Sequence, residues 1–292
     1  MVYNPTVPVR QPAIFAPIRI CEPYAGHGPR ACADGPIQVD TGAHETVIYA
    51  DTLPMGMFPH CRRGERCDTR FGFEPKASRA YYRTAIITLG TSSCHRTVQD
   101  AVRVISRTGP SWYGTNEHFG VIGMRTLRAL RASIWPPGIG CPPEGLAPVP
   151  QRSGAIPCSA TPNEGICAWT TVCPPDSADA NDPRCQKAKA MLDSGAEQTM
   201  VDETLARRVL FPQPGRTTPP ALRPGDNAYA EATIALLGEQ CGPPWQTTVA
   251  VMPSTERTRL LDVDVIIGRD LMNPRRVRLD PWTDPPSFHC AD

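Results

Sequence analysis

The feature that most constrains the fold is an internal duplication. The stretch VDTGAHETVI (39–48) aligns with LDSGAEQTMV (192–201). Two further blocks recur in the same order, namely RAYYRTAIITLG (79–90) with NAYAEATIALLG (227–238), and FGVIGMRTL (119–127) with DVIIGRDLM (264–272). Two copies about 150 residues apart indicate two homologous lobes rather than a solenoid, which needs three or more repeats.

Chain length agrees with this division. A chain of 292 residues corresponds to about two domains, and each half is long enough to bury its own core. We predict an N-terminal lobe over 1–145 and a C-terminal lobe over 146–292. The stretch 135–157 is rich in Pro and Gly without periodicity, which predicts the linker between them.

Charge and hydropathy exclude several classes of partner. The chain has 30 basic and 29 acidic residues, and no basic patch is interleaved with aromatics, so no nucleic-acid partner is expected. No apolar run approaches the ~20 residues of a membrane span. The first residues, MVYNPTVPVRQ, lack the contiguous apolar core of a signal peptide.

Short strands dominate the local patterns. The 34 prolines leave little room for long helices. Segments that are short, β-branched and bounded by turn residues predict strands at 35–40, 81–89, 97–105, 188–192, 229–237, 245–252 and 263–267. Short helices are predicted at 202–211, with Asp202 as N-cap, and at 124–132. The fold class predicted is mostly β, with two β-barrel-like lobes.

The twelve cysteines could bind a metal or form disulfides. Three His and Cys neighbours, His60-Cys61, Cys94-His95 and His289-Cys290, have spacings that fit no common zinc module, so we expect no metal. The cysteines instead recur in register between the two halves, since Cys32 and Cys185 each precede the duplicated aspartate by the same interval. Structural disulfides and an oxidising compartment, secreted or periplasmic, are therefore predicted.

The register between the halves also predicts which cysteines pair. Four bridges repeat between the lobes and two more close local loops: Cys21–Cys32, Cys94–Cys141, Cys173–Cys185, Cys241–Cys290, Cys61–Cys67 and Cys158–Cys167.

The duplicated aspartates carry the candidate chemistry. A single Asp-Thr-Gly is most simply a turn, in which Gly42 supplies an unusual backbone conformation. Two copies allow Asp40 and Asp193 to face one another, and two carboxyls sharing a proton can act as base and acid together. We expect glycine at the next-but-one position to let backbone N–H groups approach the carboxylates. We expect Thr41 and Ser194 to hydrogen-bond across to the opposite loop.

The glycines that close the apolar elements fit the same picture. Val121-Ile122-Gly123 and Ile266-Ile267-Gly268 suit strands that pass close to each aspartate loop, where only glycine allows contact.

With these motifs the chain resembles an aspartic protease. The resemblance covers about 40–130 and 193–275. Ala43 and Ala196 follow the glycines as in retroviral-type enzymes, and VIIGRDLM resembles their Ile-Ile-Gly-Arg element. Both halves lie in one chain, which is the pepsin arrangement. The resemblance implies the acid-protease fold and an endopeptidase whose two aspartates, Asp40 and Asp193, activate water.

The same resemblance implies a protein or peptide substrate, no cofactor and a monomer. The loop residues that it assigns to support the dyad are Thr41, Gly42, Ala43, Ser194, Gly195 and Ala196.

The first lobe departs from the retroviral motif, because Met124 stands where that motif has arginine. Hairpins covering the cleft are expected around 68–80 and 213–227. Tyr81 and Tyr229 at their bases are read as core or cross-strand residues in preference to substrate contacts.

Other interpretations remain open at this point. A catalytically inactive protein- or peptide-binding module would keep the same fold. A disulfide-rich structural protein would make the two aspartate turns a coincidence. Residues 1–20 could be a pro-segment or a strand shared between the lobes.

Overall fold

The computed structural model describes residues 12–23, 31–58, 80–91, 94–105, 118–135, 138–142, 154–158, 165–211, 228–237, 241–253 and 262–290. The described chain is mostly β with a few short helices, as predicted. The expected hairpins over the cleft and the Cys61–Cys67 pair lie outside the described residues, apart from Ala80 at the end of the first hairpin.

The first half forms a closed six-stranded barrel. Its strands are β1 (Phe15–Cys21), β2 (Cys32–Val39), β3 (Val47–Tyr49), β4 (Ala80–Thr91), β5 (Cys94–Ile105) and β6 (Gly120–Ile122). They close in the order β1-β2-β6-β3-β5-β4. In β1 the side chains of Ala16, Ile18 and Ile20 alternate inward, as expected of a strand with one face on the core. The strands β7 (Ser133–Trp135) and β8 (Gly138–Gly140) follow the barrel.

The second half repeats this architecture. Its strands are β9 (Ala155–Ile156), β10 (Ile166–Cys173), β11 (Gln186–Leu192), β12 (Met200–Asp202), β13 (Ala228–Leu236), β14 (Trp245–Met252) and β15 (Val265–Ile267). Six of them run in the order β11-β15-β12-β14-β13-β10, and a β10–β11 pairing closes the ring, while β9 adds to β10. The prediction of two barrel-like lobes is therefore confirmed.

A four-stranded sheet joins the two halves. It has the order β17-β16-β7-β8, where β16 is Arg278–Asp280 and β17 is Ser287–His289, and Leu279 pairs with Ile134. The start of the predicted linker is therefore sheet, because Trp135 and residues 138–140 are strand residues. The linker prediction was too wide, and the boundary at 145 stays a prediction.

Within the described residues three short α-helices lie at the ends of strands: α1 (Met124–Ala129), α2 (Glu203–Val209) and α3 (Arg269–Met272). A 3-10 turn over Ala50–Thr52 follows β3. The Asp202 side chain accepts a hydrogen bond from the Thr204 N–H, which confirms the predicted N-cap of α2. The first helix is shorter than predicted, and Arg131 just after it has a positive φ of 49°. A left-handed residue commonly ends a helix.

Disulfides link segments within each half. Five of the predicted bridges are present: Cys21–Cys32, Cys94–Cys141, Cys158–Cys167, Cys173–Cys185 and Cys241–Cys290. All ten cysteines of the described residues are thus paired, and none of these bridges connects the two barrels. Five disulfides are typical of proteins in an oxidising compartment.

The two tyrosines and the N-terminal segment are also placed. Tyr81 is buried in the first barrel, and its hydroxyl donates to the Phe58 carbonyl at 2.8 Å, so the core interpretation is confirmed. Tyr229 is half-buried opposite Ala250 on β14. The segment Phe15–Cys21 is a strand of the first barrel, paired on both sides within that barrel.

Candidate active site

The two duplicated aspartates occupy equivalent places, each directly after a barrel strand. Asp40 follows β2, which runs parallel to β6, and Asp193 follows β11, which runs parallel to β15. The Asp40 N–H donates to the Ile122 carbonyl at 3.2 Å, and the Asp193 N–H donates to the Ile267 carbonyl at 3.0 Å. The parallel pairing therefore fixes the backbone of both aspartates in the same way.

Backbone N–H groups of the turns point at the carboxylates. Asp40 Oδ1 accepts from the N–H groups of Gly42 at 2.9 Å and Ala43 at 3.0 Å. Asp193 Oδ1 accepts from the Gly195 N–H at 2.7 Å and from the Gly42 N–H at 3.2 Å. One N–H of the first loop thus contacts both carboxyls, which shows that the structure brings Asp40 and Asp193 together.

Glycine is required at both turns because the opposite carboxyl lies where a side chain would begin. A Cβ on Gly42 would overlap the Asp193 carboxyl, and a Cβ on Gly195 would overlap the Asp40 carboxyl. The predicted close approach of the glycines to the carboxyls is therefore present, and each glycine lies against the aspartate of the other loop.

The residues after the aspartates join the loops by four hydrogen bonds. The Thr41 hydroxyl donates to the Leu192 carbonyl at 2.8 Å and accepts from the Ser194 N–H at 2.9 Å. The Ser194 hydroxyl donates to the Val39 carbonyl at 3.1 Å and accepts from the Thr41 N–H at 3.1 Å. Both side chains are buried. The cross-loop contacts predicted from the motif are present and reciprocal.

The apolar-apolar-Gly elements pass against the loops as predicted. A Cβ on Gly123 would collide with the Glu45 and Ala43 carbonyls, and one on Gly268 would collide with the backbone of Gln198. The glycine that follows β6 and the glycine that follows β15 therefore each touch the aspartate loop of their own barrel backbone to backbone.

Two threonines support the loops and were not singled out from the sequence. Thr46 Oγ1 accepts from the Gly123 N–H at 3.2 Å, and Thr199 Oγ1 accepts from the Gly268 N–H at 3.1 Å. Both are fully buried. Their signal was their identity at matching positions of the two aligned motifs.

Burial and a neighbouring charge change the acidity of the Asp40 carboxyl. Burial, the neighbouring charge of Asp193 and a hydrogen bond with the Asp193 carboxyl raise the pKa of Asp40 well above its usual range. The N–H groups of Gly42 and Ala43 act in the opposite direction. Such a pair can hold one proton between two carboxyls in mild acid, with one group able to accept a proton while the other donates one.

Two ionisable side chains follow the first turn in the chain. His44 is exposed, and the Glu45 carboxylate accepts from the Tyr82 hydroxyl at 2.8 Å. Within the described part of the chain, no group of three His, Cys, Asp or Glu side chains is arranged to hold a metal ion. In the same residues, no helix is long and apolar enough to cross a membrane.

The supports of the two loops differ at one position. The N–H of Met124 donates to the Ala43 carbonyl at 2.8 Å, and the N–H of Arg269 donates to the Ala196 carbonyl at 3.0 Å. The backbone contact is the same, but the second barrel places a buried guanidinium where the first places a thioether.

Comparison of the whole fold with solved structures identifies the architecture. The aspartic proteinase from Irpex lacteus superposes with a TM-score of 0.51 at 11% sequence identity, covering 96% of this chain and 98% of that one. The chain has the acid-protease fold. Basic 7S globulin from soybean aligns with a TM-score of 0.46 at 10% identity, covering 95% of this chain and 96% of that one. No family model and no curated protein sequence matches the chain.

Proposed function

We propose that the protein is an aspartic endopeptidase in which Asp40 and Asp193 form the catalytic pair. The observation that carries the proposal is the position of the two carboxyls, which share the Gly42 N–H and hydrogen-bond to each other. Each carboxyl comes from a different barrel. The acid-protease fold, shared with an aspartic proteinase, supports the same assignment.

Catalysis in this proposal needs a water between the two carboxyls. The ionised carboxylate takes a proton from the water, whose oxygen attacks the peptide carbonyl carbon, and the protonated carboxyl gives its proton to the carbonyl oxygen. The tetrahedral intermediate then collapses: the protonated carboxyl gives its proton to the leaving nitrogen, the carbon–nitrogen bond breaks, and one hydroxyl of the intermediate returns its proton to the ionised carboxylate as the carboxylic acid forms. The enzyme ends with one proton on two carboxyls, as it began.

The neighbouring loop residues hold this pair in position. The Thr41 and Ser194 contacts fix the separation of the two loops. Gly42 and Gly195 let the opposite carboxyl approach. Ala43 donates its N–H to Asp40, and Ala196 accepts the N–H of Arg269 through its carbonyl. Preorganised groups of this kind favour reaction because they need no rearrangement as charge develops.

The motif details support a variant of retroviral type in a single chain. Alanine follows each glycine, so no side-chain hydroxyl there can stabilise the ionised dyad. The net charge is +1, so the chain does not have the large excess of acidic residues found in proteins that work in strong acid. We expect bell-shaped activity with an optimum at roughly pH 4–6.

The organisation follows from having both aspartates in one chain. We propose lobes over 1–145 and 146–292 that work together as a monomer on a protein or peptide substrate, in a secreted or periplasmic setting. The disulfides support the oxidising compartment.

The test is hydrolysis of a denatured, unstructured protein across pH 2–8, with cleavage sites mapped by mass spectrometry. Wild type should cleave, pepstatin should block cleavage, and Asp40→Asn and Asp193→Asn should each abolish it. Binding of pepstatin or peptide without cleavage at any pH would instead identify a catalytically inactive binding module.

A further inference from the structure

The loop that carries Asp193 has a buried cation against it. Arg269 is 4% exposed, and one guanidinium nitrogen donates to the carbonyls of Ser194 at 2.8 Å and Gly195 at 3.0 Å. These are the two residues that follow Asp193 in the chain. The guanidinium is therefore held against the backbone of the second active-site turn.

The first barrel has no charge at the matching position. Met124 is 1% exposed, and its backbone makes the same contact with the Asp40 loop that Arg269 makes with the Asp193 loop. The two loops thus share this backbone contact, but the second has a buried cation where the first has a thioether.

Four acidic groups interact with this guanidinium: Glu197, Asp193, Asp40 and Asp270. Burial lowers the pKa of Arg269, while these acids raise it, and an arginine stays protonated at all pH values of interest. Burial also raises the pKa of Asp270, which accepts from the Thr199 hydroxyl at 2.7 Å. Glu197 has the largest favourable interaction and offsets part of the cation's field.

We propose that Arg269 is a positioning residue that makes the dyad unequal, favouring negative charge on Asp193 and leaving the shared proton on Asp40. The inference rests on the proposed function for its catalytic meaning, although the charge coupling exists in the folded protein without any turnover. In that state Asp193 is the base that receives the proton of water, and Asp40 is the acid that protonates the carbonyl oxygen.

The raised pKa of Asp40 agrees with this distribution of the proton. A nearby cation favours loss of the first proton from the dyad, because it stabilises the singly charged pair. It favours loss of the second proton in the same way. Removing the cation should therefore move both apparent pKa values of the pair upward.

The first experiment measures stability and needs no activity. Urea unfolding is measured at pH 3 and pH 7 with the disulfides intact. It compares wild type with the single variants Arg269→Gln, Asp40→Asn and Asp193→Asn. It also includes the two double variants that combine Arg269→Gln with either asparagine substitution. In wild type and in the Asp40→Asn background, Arg269→Gln should raise the unfolding constant about tenfold more at pH 7 than at pH 3. In the Asp193→Asn background this extra factor should be smaller, because only Glu197, Asp40 and Asp270 remain to interact with the cation.

Glu197 and Asp270 contribute equally in all backgrounds, so the difference in this extra factor between two backgrounds reports the aspartate that was replaced. Arg269→Met provides a second neutral variant, since Met124 fills the corresponding place in the first barrel. An extra factor that Asp193→Asn leaves unchanged, or that Asp40→Asn reduces more than Asp193→Asn does, would overturn the assignment.

The second experiment uses the pH profile of kcat/KM. In Arg269→Gln both limbs of the bell-shaped profile should move to higher pH by about one unit. In Arg269→Lys, which keeps the charge, and in the control Met124→Leu, both limbs should stay in place. A loss of activity with unmoved limbs in Arg269→Gln would mean a structural role only. If wild type cleaves nothing, the proposed function fails, while the stability measurements still decide the charge coupling.

Discussion

The two aspartate loops are built alike in their backbone contacts and differently in the side chains that support them. In both barrels the aspartate N–H donates to an isoleucine carbonyl, and a buried threonine accepts the N–H of the glycine that passes the loop. One supporting side chain differs, because a buried methionine, Met124, occupies in the first barrel the position that Arg269 occupies in the second. Backbone geometry is therefore shared between the halves while electrostatics is not.

This difference follows from what a dyad requires of its scaffold. Two carboxyls that share a proton need close and fixed positions, and these depend on backbone hydrogen bonds that duplication supplies twice. The division of charge between them depends on side chains farther from the reacting atoms, which can change without moving the loops. Comparing matched substitutions in the two barrels therefore separates geometry from charge.

The largest effect is expected from replacing either aspartate. Asp40→Asn and Asp193→Asn each remove a titrating group while keeping its size, so the pair can no longer share a proton. Each should lower kcat by on the order of 10³-fold. The double variant should be little worse than either single, because groups acting as one unit lose function together. Steady-state hydrolysis of a peptide at the pH optimum measures this.

Glu45→Gln is the matched control, since it alters a carboxylate on the same loop outside the pair, and it should keep activity. The folded-state pKa of Asp40 is raised, so its contribution to stability is present in acid and is lost as pH rises through that pKa. Asp40→Asn should therefore lose less stability than wild type between acid and neutral pH. Retention of activity by one asparagine variant alone would break the equivalence of the two aspartates.

Disulfides give the next largest effect and compare the barrels directly. The long bridges Cys94–Cys141 and Cys241–Cys290 span 47 and 49 residues, and the short bridges Cys21–Cys32 and Cys173–Cys185 span 11 and 12. Chain entropy predicts losses of about 4 kcal/mol for each long bridge and about 3 kcal/mol for each short one.

Double alanine variants measured by urea unfolding test these values. Equal losses for corresponding bridges would support equivalent barrels. A loss in one barrel that exceeds its counterpart by more than about 1 kcal/mol would show that the halves unfold with different stabilities.

The cross-loop hydroxyls should have intermediate effects. Thr41→Val and Ser194→Ala each leave one buried N–H and one buried carbonyl without a partner across the loops. Each should cost about 1–3 kcal/mol of unfolding free energy. Small displacements of catalytic groups are costly, so kcat should fall about tenfold to a hundredfold with little change in KM.

Thr41→Ser and Ser194→Thr keep the hydroxyl and should restore most of both quantities. Because the four hydrogen bonds are reciprocal, equal effects at the two positions are expected. A large effect at only one of them would mean that one loop is held by other contacts.

Much of the site could be predicted because the duplication repeats it. The close glycines, the cross-loop hydroxyls and the paired cysteines all recur at matching positions, so each copy supports the other. Thr46 and Thr199 recur in the same way, but a threonine in a short apolar run reads locally as an ordinary strand residue. Its hydroxyl becomes recognisable only when the glycine N–H of another strand lies beside it.

The missed elements depend on contacts between distant segments. The strand Phe15–Cys21 contains Pro17, and proline locally argues against a strand, yet it pairs with Pro36 where neither residue needs to donate. The sheet that joins the halves pairs Ile134 with Leu279. The hydrophobic periodicity of either segment does not predict this pairing. Hydrophobic periodicity identifies strands that line one barrel better than strands that pair across two halves.

The smallest effects should come from the supporting threonines, and here the two barrels should differ. Thr46→Val and Thr199→Val each leave a glycine N–H, of Gly123 or Gly268, without its acceptor, at a cost of about 1 kcal/mol.

Thr199 also donates to Asp270, and this bond lowers a pKa that burial raises, so it stabilises the ionised carboxyl. That contribution is present above the pKa of Asp270 and is lost as pH falls through it. Thr199→Val should therefore cost more at pH 7 than at pH 4, while the cost of Thr46→Val should stay constant, and Thr199→Ser should remove the difference. Urea unfolding at both pH values measures this, and a pH-independent cost at Thr199 would show that the two supports are equivalent after all.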